Sequence, residues 1–167
     1  MFWACWLNGA KGFTYGANGI WQVNTREKPF GPSPHGMVWG DTPWEEAYQL
    51  PGSAQVGMAK RLLERYPWWK IEPHPEWVEP RWNEQNYLLP FAGGIPGELR
   101  LVYVPAYQRQ VTLRELEPGV AYRALLCDPV TGQEIPLGEA RGDSNGAWIT
   151  PLLPKFQDWL IVLERGG

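Results

Sequence analysis

The sequence predicts an α+β chain of two unlike parts. A partial (β/α)8 barrel tail, made of helices and one or two short strands, comes first, and an antiparallel β-sandwich follows it. Three observations predict this division. Helical periodicity is confined to residues 1–66. A stretch rich in Pro and Trp, residues 67–82, then breaks every periodic pattern. From residue 83 to 167, short runs of period two alternate with turn signals.

The elements follow in order. In residues 2–10 (FWACWLNGA), Phe2, Trp3, Trp6, Leu7 and Ala10 share one helical stripe, and Gly9 and Gly12 end it. Phe13-Thr14-Tyr15 reads as a short strand closed by Gly16, and Ile20-Trp21-Gln22-Val23 as a second short apolar run. Helix, short strand and Gly-rich exit loop make one α–β step of a barrel. A lone parallel strand leaves its backbone unpaired and the stripe Phe2, Trp3, Trp6, Leu7 uncovered, so residues 1–50 by themselves are expected to be loosely ordered or to associate. Residues 25–41 read as loop. Thr42-Pro43-Trp44-Glu45 reads as a capping box, with Thr42 as cap, Pro43 at the first helical position and Glu45 reaching back. Leu50-Pro51-Gly52 reads as a break. Ser53 then caps a second helix to about Tyr66, with Val56, Ala59, Leu62, Leu63 and Tyr66 on its apolar face.

Residues 67–82 (PWWKIEPHPEWVEPRW) carry four prolines and four tryptophans. That excludes a helix and predicts an extended linker whose indoles pack on something. Strands are expected at 86–91, 98–103, 110–113, 121–127, 134–140, 147–150 and 158–164. Turns at 92–94, 117–119, 128–132 and 142–146 separate them. Seven short strands at this spacing suggest a β-sandwich.

Composition bounds the partners. The net charge is -3, without a Lys/Arg block, which argues against nucleic acid and an anionic membrane surface. No run approaches the about 18 apolar residues a membrane span needs. The apolar start lacks a basic flank and is interrupted by Asn8 and Lys11, which argues against a signal peptide; localisation stays open. Cys5 and Cys127 have no zinc spacing and need not pair. His35 and His74 have no third ligand at suitable spacing, so neither a metal nor another cofactor is expected.

Several runs carry a specific resemblance. GFTYGANGIWQVN (12–24), the helix start at Trp44–Ala47 and LPGSAQVG (50–57) resemble the end of the catalytic barrel in the apiosidase-like glycoside hydrolases, the DUF4038 group. NYLLPFAGG (86–94), DPVTGQE (128–134) and DWLIVLE (158–164) resemble the β-sandwich that follows that barrel. That module bears the family label of a collagen-binding domain of a collagenase. The resemblance implies a barrel that cleaves glycosidic bonds, including those of apiose in pectin side chains. Its catalytic carboxylates lie on earlier strands, which would precede Met1.

Candidate residues agree with that picture. Glycoside hydrolysis needs two carboxyl groups about 5–9.5 Å apart, and the sequence offers no convincing pair, so no catalytic residue is assigned. Glu45 is better explained by capping, and its neighbour Glu46 points elsewhere on the helix. Glu72, Glu76 and Glu79 sit in the linker, and Asp128 and Asp143 sit at turn positions. The expected substrate-lining residues are Tyr15, Asn18, Trp21 and Gln22. They follow a strand end, where barrel sites gather, and they offer ring faces and directional hydrogen bonds to a sugar. The family often has a histidine at the position of Asn18. Packing is the better reading of Trp68, Trp69, Trp77 and Trp82, and chance of the Arg141-Gly142-Asp143 tripeptide.

Three roles compete. The first is a C-terminal fragment of a glycoside hydrolase acting on plant-type polysaccharide, inactive alone, whose partners are an oligo- or polysaccharide and the missing barrel segment. The second is a stand-alone carbohydrate- or collagen-binding sandwich. Against it, the sandwich aromatics, Tyr107 and Phe156 among them, fall mostly in expected strands and can be core. The third is a sandwich that only braces the barrel.

Overall fold

The structure is a computed structural model that describes residues 1–20, 22–29 and 40–166. Its strands are β1 (Glu72–Pro73), β2 (Val78–Glu79), β3 (Phe91–Ile95), β4 (Leu99–Val104), β5 (Thr112–Leu113), β6 (Ala121–Cys127), β7 (Glu134–Arg141), β8 (Trp148–Ile149) and β9 (Trp159–Arg165). One six-stranded sheet has the order β1-β3-β4-β9-β6-β7, and a three-stranded sheet has the order β2-β5-β8. Every pairing is antiparallel. Three α-helices precede them among the described residues: α1 (Phe2–Leu7), α2 (Trp44–Ala47) and α3 (Pro51–Leu63). The fold is α+β, dominated by a β-sandwich-like pair of sheets.

Alternation along the large sheet explains the layering. Successive side chains on a strand point to opposite faces. Leu101 and Tyr103 of β4, Leu125 and Cys127 of β6, and Leu160 and Val162 of β9 join a core with Trp3, Trp6, Leu7, Leu62 and Leu63. Val102 and Val104, Tyr122, Ala124 and Leu126, and Trp159, Ile161 and Leu163 join a second core with Val78 and Leu113 of the small sheet. The large sheet is thus the middle of three layers, with helices on one face and the small sheet on the other. Strands covered on both faces read as continuous apolar runs, as LRLVYV and WLIVL do.

Glycines let these layers meet. A Cβ at Gly93 would stand 2.7 Å from the Glu72 carbonyl oxygen and 3.3 Å from Leu7, so glycine admits both β1 and α1. One at Gly94 would stand 2.1 Å from the Leu99 carbonyl oxygen. The expected turn at 92–94 is therefore strand, and β3 begins at Phe91, where the expected strand 86–91 ends. Residues 83–86 instead form a tight bridge in which Asn83 and Asn86 exchange backbone hydrogen bonds.

The N-terminal part departs from expectation at several points. Residues 13–15 form no strand, and residues 20, 22 and 23 lie in turns. Among the described residues no strand stands beside them to complete a ladder, and turn bonds take the local amides: Ile20 donates to Ala17, Val23 to Ile20 and Asn24 to Gly19. The expected capping box does not form. Pro43, not Thr42, is the N-cap of α2, with no side-chain cap bond. Asn24 organises this entry. Its side-chain amide donates to the Thr42 carbonyl at 3.1 Å, and its own carbonyl accepts from Trp44 N–H at 2.8 Å. The expected break between the two helices is present, at residues 48–50, and Pro51 lies just past it. It opens α3 from the first position, ahead of Ser53, where its missing N–H costs nothing. The α1 stripe, expected bare, is covered: Trp3, Trp6 and Leu7 are buried against the large sheet.

Residues 67–82 are less extended than expected. Trp68–Lys70 and Pro75–Trp77 each make a single 3-10 turn, with β1 and β2 following them. The segment thereby crosses from the edge of the large sheet to the edge of the small one.

Candidate functional site

A concavity of about 720 Å³ opens where α1, residues 13–16 and the N-terminal half of α3 meet the sandwich. The helical side contributes Phe2, Phe13, Tyr15, Gln55 and Val56, and the sandwich side contributes Tyr103, Val130 and Asp158. Tyr15 is held there by two neighbours. Its hydroxyl donates to the Ala47 carbonyl at 3.4 Å, and its ring lies where a side chain at Gly52 would collide, 2.9 Å from the Cβ position.

Asp158 is the single carboxylate among the described residues lining this cleft. It accepts from Tyr103 Oη at 2.6 Å and from Ala106 N–H at 3.0 Å. Burial, then the bond to Asp158, raises the Tyr103 phenol above its ordinary range, so it stays a donor. One carboxylate cannot serve as both acid and base across a glycosidic bond. What the cleft can do chemically is bind: ring faces and the Gln55 amide on one wall, an anionic acceptor on the other.

The sequence-predicted lining residues are spread around this region. Tyr15 lines the cleft. Asn18 is exposed on the neighbouring turn. Gln22 is half-buried and its side-chain oxygen accepts from Gly19 N–H at 2.9 Å, which braces that turn. Trp21 lies outside the described residues, as does His35. Asp158 and Tyr103 escaped sequence reasoning. Asp158 looked like the start of a strand, and its signal was only its place just ahead of an apolar run.

Other candidates resolve into structure. Glu46 pairs with Arg26 on the surface. His74 stacks on Trp77 with ring centroids 3.8 Å apart, and its Nδ1 lies 2.8 Å from Glu76 Oε1. Trp77 is buried, Trp68 packs on Trp6 and Trp82 stacks on Phe91, whereas Trp69 is 64% exposed. Asp143 of the Arg-Gly-Asp tripeptide accepts from Asn145 and Ala147 N–H, which hold its carboxyl below the usual range. Cys5 and Cys127 are both free thiols. Among the described residues no three His, Cys, Asp or Glu side chains converge to hold a metal ion, and no helix is long and apolar enough to cross a membrane.

Comparison with known proteins adds three findings. Residues 1–70 match the family model of the apiosidase-like catalytic domain. A solved glycoside hydrolase superposes with a TM-score of 0.73 at 21% identity, covering 98% of this chain and 35% of its own. A glycoside hydrolase family 5 structure from Bacteroides vulgatus gives 0.70 at 22%, with the same 98% and 35% coverage. The chain therefore shares its fold with about a third of the length of these structures. No curated protein sequence matches it significantly.

Proposed function

We propose that this chain is the C-terminal part of a glycoside hydrolase of the apiosidase-like kind. Residues 1–66 would close a (β/α)8 barrel, and residues 83–167 would be the accessory sandwich that braces it. The match of residues 1–70 to the apiosidase-like catalytic domain carries this reading. The shared fold with about a third of two glycoside hydrolase structures supports it.

In this reading the substrate is a plant-type oligo- or polysaccharide. Cleavage takes two carboxylates flanking the scissile bond. Those come from earlier barrel strands, on the polypeptide that completes the barrel, which is also the principal partner of residues 1–66. This chain supplies one wall of the sugar site: the Tyr15 ring as a stacking face, with Asn18 and Gln22 on the turn beyond it, and Trp21 is the further aromatic proposed to line it. Alone, it binds sugar weakly and does not hydrolyse it.

The test is to incubate the 167-residue chain with aryl glycosides and an apiose-bearing pectin fragment, with and without a polypeptide that carries the earlier barrel strands of a related enzyme. Product is expected from the assembly and not from the chain alone. Release by the chain alone above the buffer rate would sink the division of labour. An assembly that co-purifies yet leaves every glycoside intact would remove the hydrolase reading.

A further inference from the structure

Tyr107 and Phe156, counted among the sandwich aromatics that can be core, are 64% exposed each, on loops at one end of the sandwich. Their rings meet edge to face, centroids 5.9 Å apart and planes at 89°. Tyr107 lies on the loop after β4 and Phe156 on the loop before β9.

The two loops are tied together at their bases. Leu153 N–H donates to the Arg109 carbonyl at 2.8 Å, and Arg109 Nε donates to the Leu153 carbonyl at 3.0 Å. Ala106 N–H donates to Asp158 at 3.0 Å, so the same carboxylate that lines the cleft closes the second tie. Each loop is also pinned internally. Gln108 N–H donates to the Pro105 carbonyl at 3.0 Å, and the Trp159 indole N–H donates to the Lys155 carbonyl at 3.2 Å. Two large rings are thus held out in water by a braced frame. That arrangement forgoes the burial an aromatic ring ordinarily gains, and it removes most of the ordering cost of binding in advance.

We propose that this frame is a glycan-binding platform: one of the two perpendicular rings stacks on the C–H face of a neutral sugar residue while the other holds it in place edge to face, and Asp158 accepts from the hydroxyls of the residue beside it. A carboxylate has about four acceptor sites, and two of those on Asp158 are used by Ala106 and Tyr103. Because Asp158 belongs to both platform and cleft, one oligosaccharide can run from the sandwich loops towards Tyr15. The choice of sugar as ligand rests on the hydrolase reading above; the braced rings do not.

Titrating the 15N-labelled 167-residue chain with cellohexaose, xylohexaose and mannohexaose, with a triple-helical collagen-type peptide in parallel, tests this. At least one hexaose should shift amides of 105–109 and 153–158. Tyr107→Ala and Phe156→Ala should each raise its Kd about tenfold. Phe156→Trp should keep binding, and Ile149→Ala, an exposed apolar change on β8, should leave it unaltered. Circular dichroism confirms that each variant folds. The platform is overturned if no hexaose binds, if the peptide alone binds, or if the two alanine variants bind sugar like the parent. Should Tyr15→Ala alone abolish binding, sugar sits in the cleft only; the platform then fails while the hydrolase reading stands.

Discussion

Arg100 is the most exacting single residue. It is buried, its guanidinium carbon lies 3.9 Å from the centre of the Trp77 ring, and it donates to the carbonyls of Arg114 and Glu115 and to Glu117. Arg100→Ala would strand these acceptors and open a void, and should cost about 3–5 kcal/mol in urea unfolding. Burial pushes the Glu117 carboxyl up, but hydrogen bonds from Tyr122, its own backbone and Arg100 outweigh it, so the group sits below its ordinary value. Its folded pKa is therefore below its unfolded one. The stability it contributes is present above the unfolded value of 4.5 and is lost as pH falls through the folded one. Glu117→Gln should flatten the acid side of a stability-versus-pH curve; an unchanged slope would refute the assignment. Cys127 offers a third check. Burial pushes its thiol up to about 12, whereas Cys5 is exposed. Ellman's reagent at pH 8 should titrate one thiol in the native protein and two in guanidinium. None of this was legible in the sequence. Arg100 alternates with apolar neighbours in LRLVYV, but nothing there shows that two carbonyls wait for it.

Among the elements, α1 bears most on the candidate site. It is short, has no side-chain cap bond at its start, and ends where Gly9 adopts a φ of 95°. An isolated helix of this length is not stable in water; its burial on β3 holds it. Leu7→Ala should cost about 2–5 kcal/mol and should also loosen the cleft wall formed by its neighbours Phe2 and Trp3, which thermal unfolding and amide exchange of residues 2–7 would register. The helical stripe here was legible because Trp3, Trp6 and Leu7 fall at the right spacing. Strands β4, β6, β7 and β9 were legible from apolar runs and turn signals, with ends displaced by a residue at most. The strand expected at 13–15 does not form, because a strand depends on neighbours that local pattern cannot report. The glycines of β3 misled for a related reason: Gly93-Gly94 resembles a turn, yet serves close approach of backbone from both sides.

At the scale of the whole molecule, the large sheet belongs to both cores. Helices and sandwich are therefore expected to unfold in one transition, with near-ultraviolet and far-ultraviolet signals coinciding. An early separate loss of helix would show that the N-terminal segment is only loosely attached. The overall division into helices followed by strands was visible in periodicity. The cleft was not, since Tyr15 and Asp158 come from opposite ends of the chain and meet only through packing. The strand order has a consequence for synthesis. β9 lies between β4 and β6 at the centre of the large sheet. Before residues 159–165 emerge from the ribosome, β4 and β6 present two bare strand edges, each rich in apolar side chains. The nascent chain is therefore at its most aggregation-prone just before it completes the sheet, and that interval is where a chaperone would have most to do.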